Sequence, residues 1–250
     1  MNAEFYRELL SDQESALYAV ILENLKDRSE LIRFPPVSSQ TVNRIISFVL
    51  RDHPEIAWTN GKWRGEAGTT SFVIPDYTLD EAEIRTFQAE TSRMAEALDS
   101  ALRLSEEQRL RQVFDFLLES IAYDLYAPHS QDAYGALIEG RAVCRGIAKA
   151  VQLLLRACGL HAITLEGRLN REARHVWNVV SLSSGCYHLD VTMGYPAFSA
   201  LYTNRGLNYH SDAAFCVSDE TLRRTHEWGT EAIPIRCPFD LYDRHDASPD

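Results

Sequence analysis

The short turn Ser183-Ser184-Gly185 constrains this chain more than any other feature. It joins two extended runs, 174–182 and 186–192, so closely that they have to pair as an antiparallel hairpin. A third extended run, about 161–169, precedes them. Before that, Ile147, Val151, Leu154 and Leu155 recur at helical spacing over 143–158, and Gly159 stands where a left-handed residue ends a helix. An amphipathic helix followed by an antiparallel sheet is the core of an α+β fold.

The hairpin has chemical consequences. Side chains alternate along a strand, so His175 and Trp177 share one face while Val176, Asn178 and Val180 share the other. If Leu182 and Gly185 close a two-residue loop, Trp177 lies opposite Asp190, with His175 diagonal to Asp190 on the same face. Diagonal neighbours sit roughly 7–8 Å apart, within reach of an imidazole and a carboxylate. A slip of one residue separates them. His188 falls on that face as well; His175 is the preferred partner because Trp177 beside it can shield an ion pair from water.

Cys144 opens the helix, between Gly140 and Gly146. A free thiol has a pKa of about 8.5. The unpaired N–H groups and partial positive charge of a helix N-terminus favour its anion, and so does a histidinium. A thiol, an imidazole to ionise it and a carboxylate to orient the imidazole form a nucleophilic unit, here Cys144, His175 and Asp190. Most helical cysteines are inert core residues, and Cys158 on the same helix is read that way.

The first half reads as helical with one extended interruption. Ser11 to Glu14, Thr78 to Glu81 and Ser105 to Gln108 fit capping boxes, and Ser38 or Ser39 can cap another helix. Pro35-Pro36 breaks the chain, and Asn60-Gly61 reads as a turn between the extended pieces 56–58 and 71–74. The expected division is a helical region with a small β element over 1–120 and a core over 121–250. Residues 222–228 are expected as a short helix, and the tail beyond Pro238 as loosely held.

A net charge of −11 argues against a nucleic-acid or anionic-membrane partner. No run reaches membrane-span length and no secretory signal opens the chain. Five cysteines without a C-x-x-C pair then point to reduced thiols in the cytoplasm. With no H-x-x-x-H pattern and no Gly-rich phosphate loop, neither a metal nor another cofactor is expected. The nearest metal reading is a mixed site of Cys144, His175, His188 and Asp190.

The motifs Gly140-x-x-x-Cys144-x-Gly146, His175-x-Trp177-Asn178 and Tyr187-x-x-Asp190-x-Thr192 resemble the transglutaminase-like superfamily of papain-like cysteine enzymes. The likeness is closest to bacterial members with a helical N-terminal region, and covers about 120–225. It implies Cys144 as nucleophile, His175 as base and Asp190 as its orienter, with acyl transfer through a thioester to water or an amine. It also implies a peptide or protein substrate, and makes Gln131, Tyr134 and Trp177 candidates for oxyanion or substrate contacts. The chain departs from its relatives at Ile147, Val176 and Met193, which touch the walls of such a site. The alternative is an inactive protein-interaction module, with Tyr195, Phe198, Tyr202, Tyr209 and Phe215 as its partner surface.

Overall fold

In the computed structural model, residues 2–204, 206–207, 210–229 and 234–242 are described, with the side chains of 99–101 and 202 set aside. Packing divides the chain between residues 90 and 91, where the sequence reading divides it at 120 and 121.

In residues 2–90, α1 (Asp12–Lys26) begins at a complete Ser11/Glu14 capping box. It is followed by β1 (Ile32–Ser38), α2 (Ser39–Asp52), β2 (Thr59–Arg64), β3 (Thr69–Tyr77) and the start of α3 (Glu81–Asp99). Three expectations change here. Pro35-Pro36 do not break the chain: they lie in β1, an edge strand, where the register shifts between Arg33 and Val37 and no ladder donor is needed. Asn60-Gly61 sits inside β2 at a second register shift, and the reversal falls at 65–68. The cap of α3 is Asp80, which accepts from the Glu83 N–H at 2.9 Å while Glu83 accepts from the Asp80 N–H at 2.8 Å.

The remainder holds α4 (Glu106–Ser120), β4 (Ala122–Tyr123), α5 (Ala133–Leu137), β5 (Arg141–Ala142), α6 (Cys144–Ala157), β6 (His161–Leu169), β7 (Ala173–Leu182), β8 (Gly185–Leu189), α7 (Ser199–Thr203), β9 (Phe215–Val217), α8 (Asp219–Leu222) and β10 (His226–Glu227). Five strands form one sheet in the order β10-β6-β7-β8-β9, every neighbour antiparallel. Val180, Leu182, Tyr187 and Leu189 face a core shared with Leu110, Phe114 and Leu117 of α4 and Ile147, Val151 and Leu155 of α6. That shared core is why α4 belongs with the sheet and not with the preceding residues.

Leu182 pairs with Gly185 and Asn178 with Leu189, the register that places Trp177 and Asp190 on one level. The strand stops at Leu189, short of the expected 192, because the Asp190 side chain accepts from the Thr192 N–H and turns the chain into a 3-10 segment, Val191–Gly194. The expected helix over 222–228 is replaced by α8 and β10. Beyond Pro238, Leu241 is buried and its N–H donates to the Cys216 carbonyl at 2.9 Å, so this part of the tail is docked. Of the aromatic run, Phe215 packs edge-on against Phe114 in the core, and Phe198 against Tyr123. Tyr209 and the Tyr202 side chain lie outside the described residues. Among the described residues no helix is long and apolar enough to cross a membrane.

Candidate active site

Cys144 is the first residue of α6, and its N-cap, Val143, supplies no side-chain acceptor. The partial positive charge of the helix start therefore falls on the sulfur without a competing side-chain cap. The start of α6 is clamped from two sides. β5, which leads into it, pairs with β4 in parallel. The loop 130–132 lies against its first turn, close enough that a Cβ on Gly146 would stand 2.4 Å from the Ser130 carbonyl oxygen. A glycine is therefore required there for backbone to approach backbone.

Lys149 and Asp132 complete that clamp with a buried ion pair at 2.6 Å. Removing one partner leaves the other charge without compensation. Asp132→Ala is expected to lower the unfolding free energy by about 3–5 kcal/mol. Urea denaturation measures this, and a loss below about 1 kcal/mol, the range of an exposed pair, would contradict the clamp.

β8 ends before it can cover the first residues of β7, so among these strands 173–177 pair only with β6. The uncovered edge meets the start of α6. There the Val176 N–H and the His175 ring are directed at the Cys144 thiol. His175 Nε2 is 2.6 Å from Asp190 Oδ2, and both residues are buried. With Nε2 engaged, Nδ1 is the nitrogen left for the sulfur.

The electrostatics follow from burial and pairing. Burial pushes the Cys144 thiol up, but the His175 ring and the Val176 N–H outweigh it and bring the thiol below its ordinary value. Burial pushes His175 down, and the Asp190 charge overrides that and lifts it to about 10. Burial alone would raise Asp190, yet His175 and then His226 hold it far below the carboxylate range. Cys158, Cys216 and Cys237 are raised by burial, so the depressed thiol is particular to Cys144 among these four.

Behind Cys144, His175 and Asp190 stands an aromatic and imidazole wall. Trp177, 1% exposed, stacks on His175 with centroids 5.9 Å apart. Its Nε1–H donates to His188 Nδ1 at 3.1 Å, which leaves His188 Nε2 as the donor to Asp219 Oδ1 at 2.9 Å. His188 is thereby a support for Trp177, turned toward Asp219. Asn178 donates to the Ala148 carbonyl of α6 at 3.0 Å, the structural role read from the sequence.

A groove of about 330 Å³ opens on Cys144 and His175, lined also by Tyr123, Gln131, Arg145 and Arg174. Of the three side chains named for oxyanion or substrate contacts, Gln131 lines this groove. Tyr134 is buried with its ring edge-on to His129, and Trp177 lies in the wall behind. The tyrosine at the groove is Tyr123, beside both the Cys144 N–H and its thiol; burial and then the thiolate charge push its hydroxyl up to about 12. Nothing local marks Tyr123 in the sequence, since β4 is two residues long.

Among the described residues, two sets of side chains bring their ligand atoms close together: His175, Asp190 and His226, and His188, Asp219 and Cys237. In the first, both Nε2 atoms lie on Asp190 Oδ2 at 2.6 and 3.0 Å, with a proton between each pair. In the second, the Trp177 N–H fixes the proton of His188 on Nε2, where a cation would need a lone pair. The alternative mixed set of Cys144, His175, His188 and Asp190 is not drawn together, since His188 is held between Trp177 and Asp219.

Residues 93–191 match the model of the transglutaminase-like superfamily, whose members are mainly cysteine-dependent enzymes. The match to a transglutaminase-like domain is confined to that stretch, about two fifths of the chain. Two solved structures are similar over about half of this chain. One is described as "Crystal structure of a TGase" (14% identity, TM-score 0.38, 52% of this chain and 43% of that one). The other is a "Putative Cysteine Protease from Cytophaga hutchinsonii" (16% identity, TM-score 0.36, 50% of this chain and 51% of that one). The chain thus spans about half the length of each. No curated protein matches it.

Proposed function

We propose that this protein is a cysteine-dependent acyl-transfer enzyme acting on a peptide or protein amide. The observation that carries the proposal is a thiol held below its ordinary pKa despite burial, at an uncapped helix start, against a buried His175–Asp190 pair and open to a groove.

In this mechanism His175 Nδ1 takes the Cys144 proton, and the thiolate attacks the substrate carbonyl carbon. The negative charge passes to the carbonyl oxygen, which the Cys144 N–H and the neighbouring Tyr123 hydroxyl or Gln131 amide receive. The C–N bond breaks as His175 returns its proton to the leaving amine, and a thioester remains on Cys144. Water or an amine, deprotonated by His175, then attacks the thioester and releases a carboxylic acid or a new amide with the free thiol.

The test is alkylation by iodoacetamide at pH 6.5 with mass-spectrometric mapping. An ordinary thiol is about 1% ionised there. Cys144 is expected to label at least tenfold faster than Cys186, the other partly exposed cysteine. Equal and slow labelling of the two would sink the reading.

A further inference from the structure

We infer that His226 is a positioning residue of this site: its Nε2–H holds the Asp190 carboxylate and tempers how strongly that carboxylate retains the proton on His175. The inference rests on the roles proposed above for Cys144, His175 and Asp190.

His226 is fully buried, and its Nε2 lies 3.0 Å from Asp190 Oδ2, the same oxygen that His175 Nε2 meets at 2.6 Å. Its Nδ1 is 2.8 Å from Thr225 Oγ1. That hydroxyl has one other acceptor, the Leu222 carbonyl at 3.4 Å, so the shorter contact takes its proton. Nδ1 then accepts and Nε2 carries the hydrogen. Burial keeps the ring neutral against the pull of Asp190. The carboxylate is therefore shared between a histidine that gains charge and one that stays neutral.

The segment is built to deliver this ring. β10 pairs with β6 through only two residues, over Gly167, where a Cβ would stand 2.2 Å from the Glu227 carbonyl oxygen and 2.7 Å from the Trp177 ring. The His226 ring rests edge-on against Trp177, with centroids 5.0 Å apart. The titratable and charged groups that face it are Asp190, His175 and His188; Cys144 lies beyond His175, and Asp219 and Arg223 act on His188.

The direction of the effect follows. A neutral N–H on Oδ2 spreads the carboxylate charge and weakens its hold on the His175 proton. Without that donor the imidazolium is favoured, its titration moves to higher pH, and it becomes a poorer acid toward a leaving amine.

The experiment follows the imidazole resonances of His175 by NMR, alongside the pH profile of Cys144 alkylation, in the wild type and three variants. H226Q keeps an N–H near the Nε2 position, whereas H226M and H226F fill the space without a donor; two donor-less variants are made so that a folded one is in hand. His226 is expected to remain neutral across the range. The His175 midpoint is expected to rise by about half to one pH unit in H226M or H226F, the scale of one neutral hydrogen bond, and to stay near wild type in H226Q. An unmoved midpoint in a folded donor-less variant would overturn the inference, as would an equal shift in H226Q, which would assign the effect to bulk. A wild type in which His175 titrates as an ordinary imidazole and Cys144 labels as an ordinary thiol would overturn the proposed roles themselves, a failure visible without any variant.

Discussion

Cys144→Ala is expected to abolish covalent capture by an acyl-transfer probe, and to lower any turnover by about 10⁴ or more, with the melting temperature within a few degrees of wild type. The sulfur is the only atom of Cys144 that the mechanism changes. Its N–H remains in an alanine, so the oxyanion donor survives, and alanine suits a first helical turn at least as well as cysteine. The side chain is only partly buried, so little packing is lost. Mass mapping after exposure to the probe, together with thermal denaturation, separates loss of the nucleophile from loss of the fold. Capture retained at Cys186 with undiminished turnover would reassign the nucleophile.

That this test can be written from the sequence reflects which features were local. The helix carrying Cys144 is legible because its apolar positions fall at one period and its end carries a left-handed glycine, Gly159 at φ 71°. The hairpin is legible because a two-residue loop fixes register, and register fixes which side chains share a face. His175 and Asp190 come together for that reason alone, 15 residues apart in the chain and 2.6 Å apart in space. The serine caps read from the sequence, Ser11, Ser38 and Ser105, follow from short-range hydrogen bonding.

What escaped the sequence depends on distant partners. His226 joins Asp190 across 36 residues, through a two-residue strand that carries no periodicity, and its neighbours read as helix. Tyr123 reaches the groove by an equally short strand pair. Pro35-Pro36 reads as a break because only the tertiary structure reveals an edge strand with a bulge that tolerates two prolines. Asp190 reads as the close of a strand because alternation continues through it, while its side chain ends that strand by accepting from the Thr192 N–H. Local patterns thus brought together the thiol, the imidazole and the carboxylate to which the proposal assigns these roles; the groove wall and the second imidazole required folding.

Asp190→Asn is expected to lower Cys144 alkylation and acyl transfer at pH 7 by about 10²–10⁴, and to flatten the dependence of stability on alkaline pH. Asp190 Oδ2 accepts from two imidazoles and Oδ1 from the Thr192 N–H. An amide has one oxygen for these three donors, so its NH₂ faces either both rings or the Thr192 N–H. The loss of charge matters more. Burial pushes His175 down, and it reaches about 10 chiefly through Asp190, with Cys144 adding a smaller pull, so without the Asp190 charge the ring titrates at lower pH. The imidazolium is then less populated at neutral pH, and Cys144 loses part of what offsets its own burial. Linkage supplies an independent reading. A base whose folded pKa is raised contributes stability in full below about 6.5, its unfolded value, and loses that stability as pH rises through about 10. Wild type should therefore lose unfolding free energy between pH 7 and 10, and Asp190→Asn should lose less. Denaturation at the two pH values, with alkylation rates beside it, tests both parts; wild-type reactivity together with a wild-type stability profile in the variant would remove Asp190 from its proposed role.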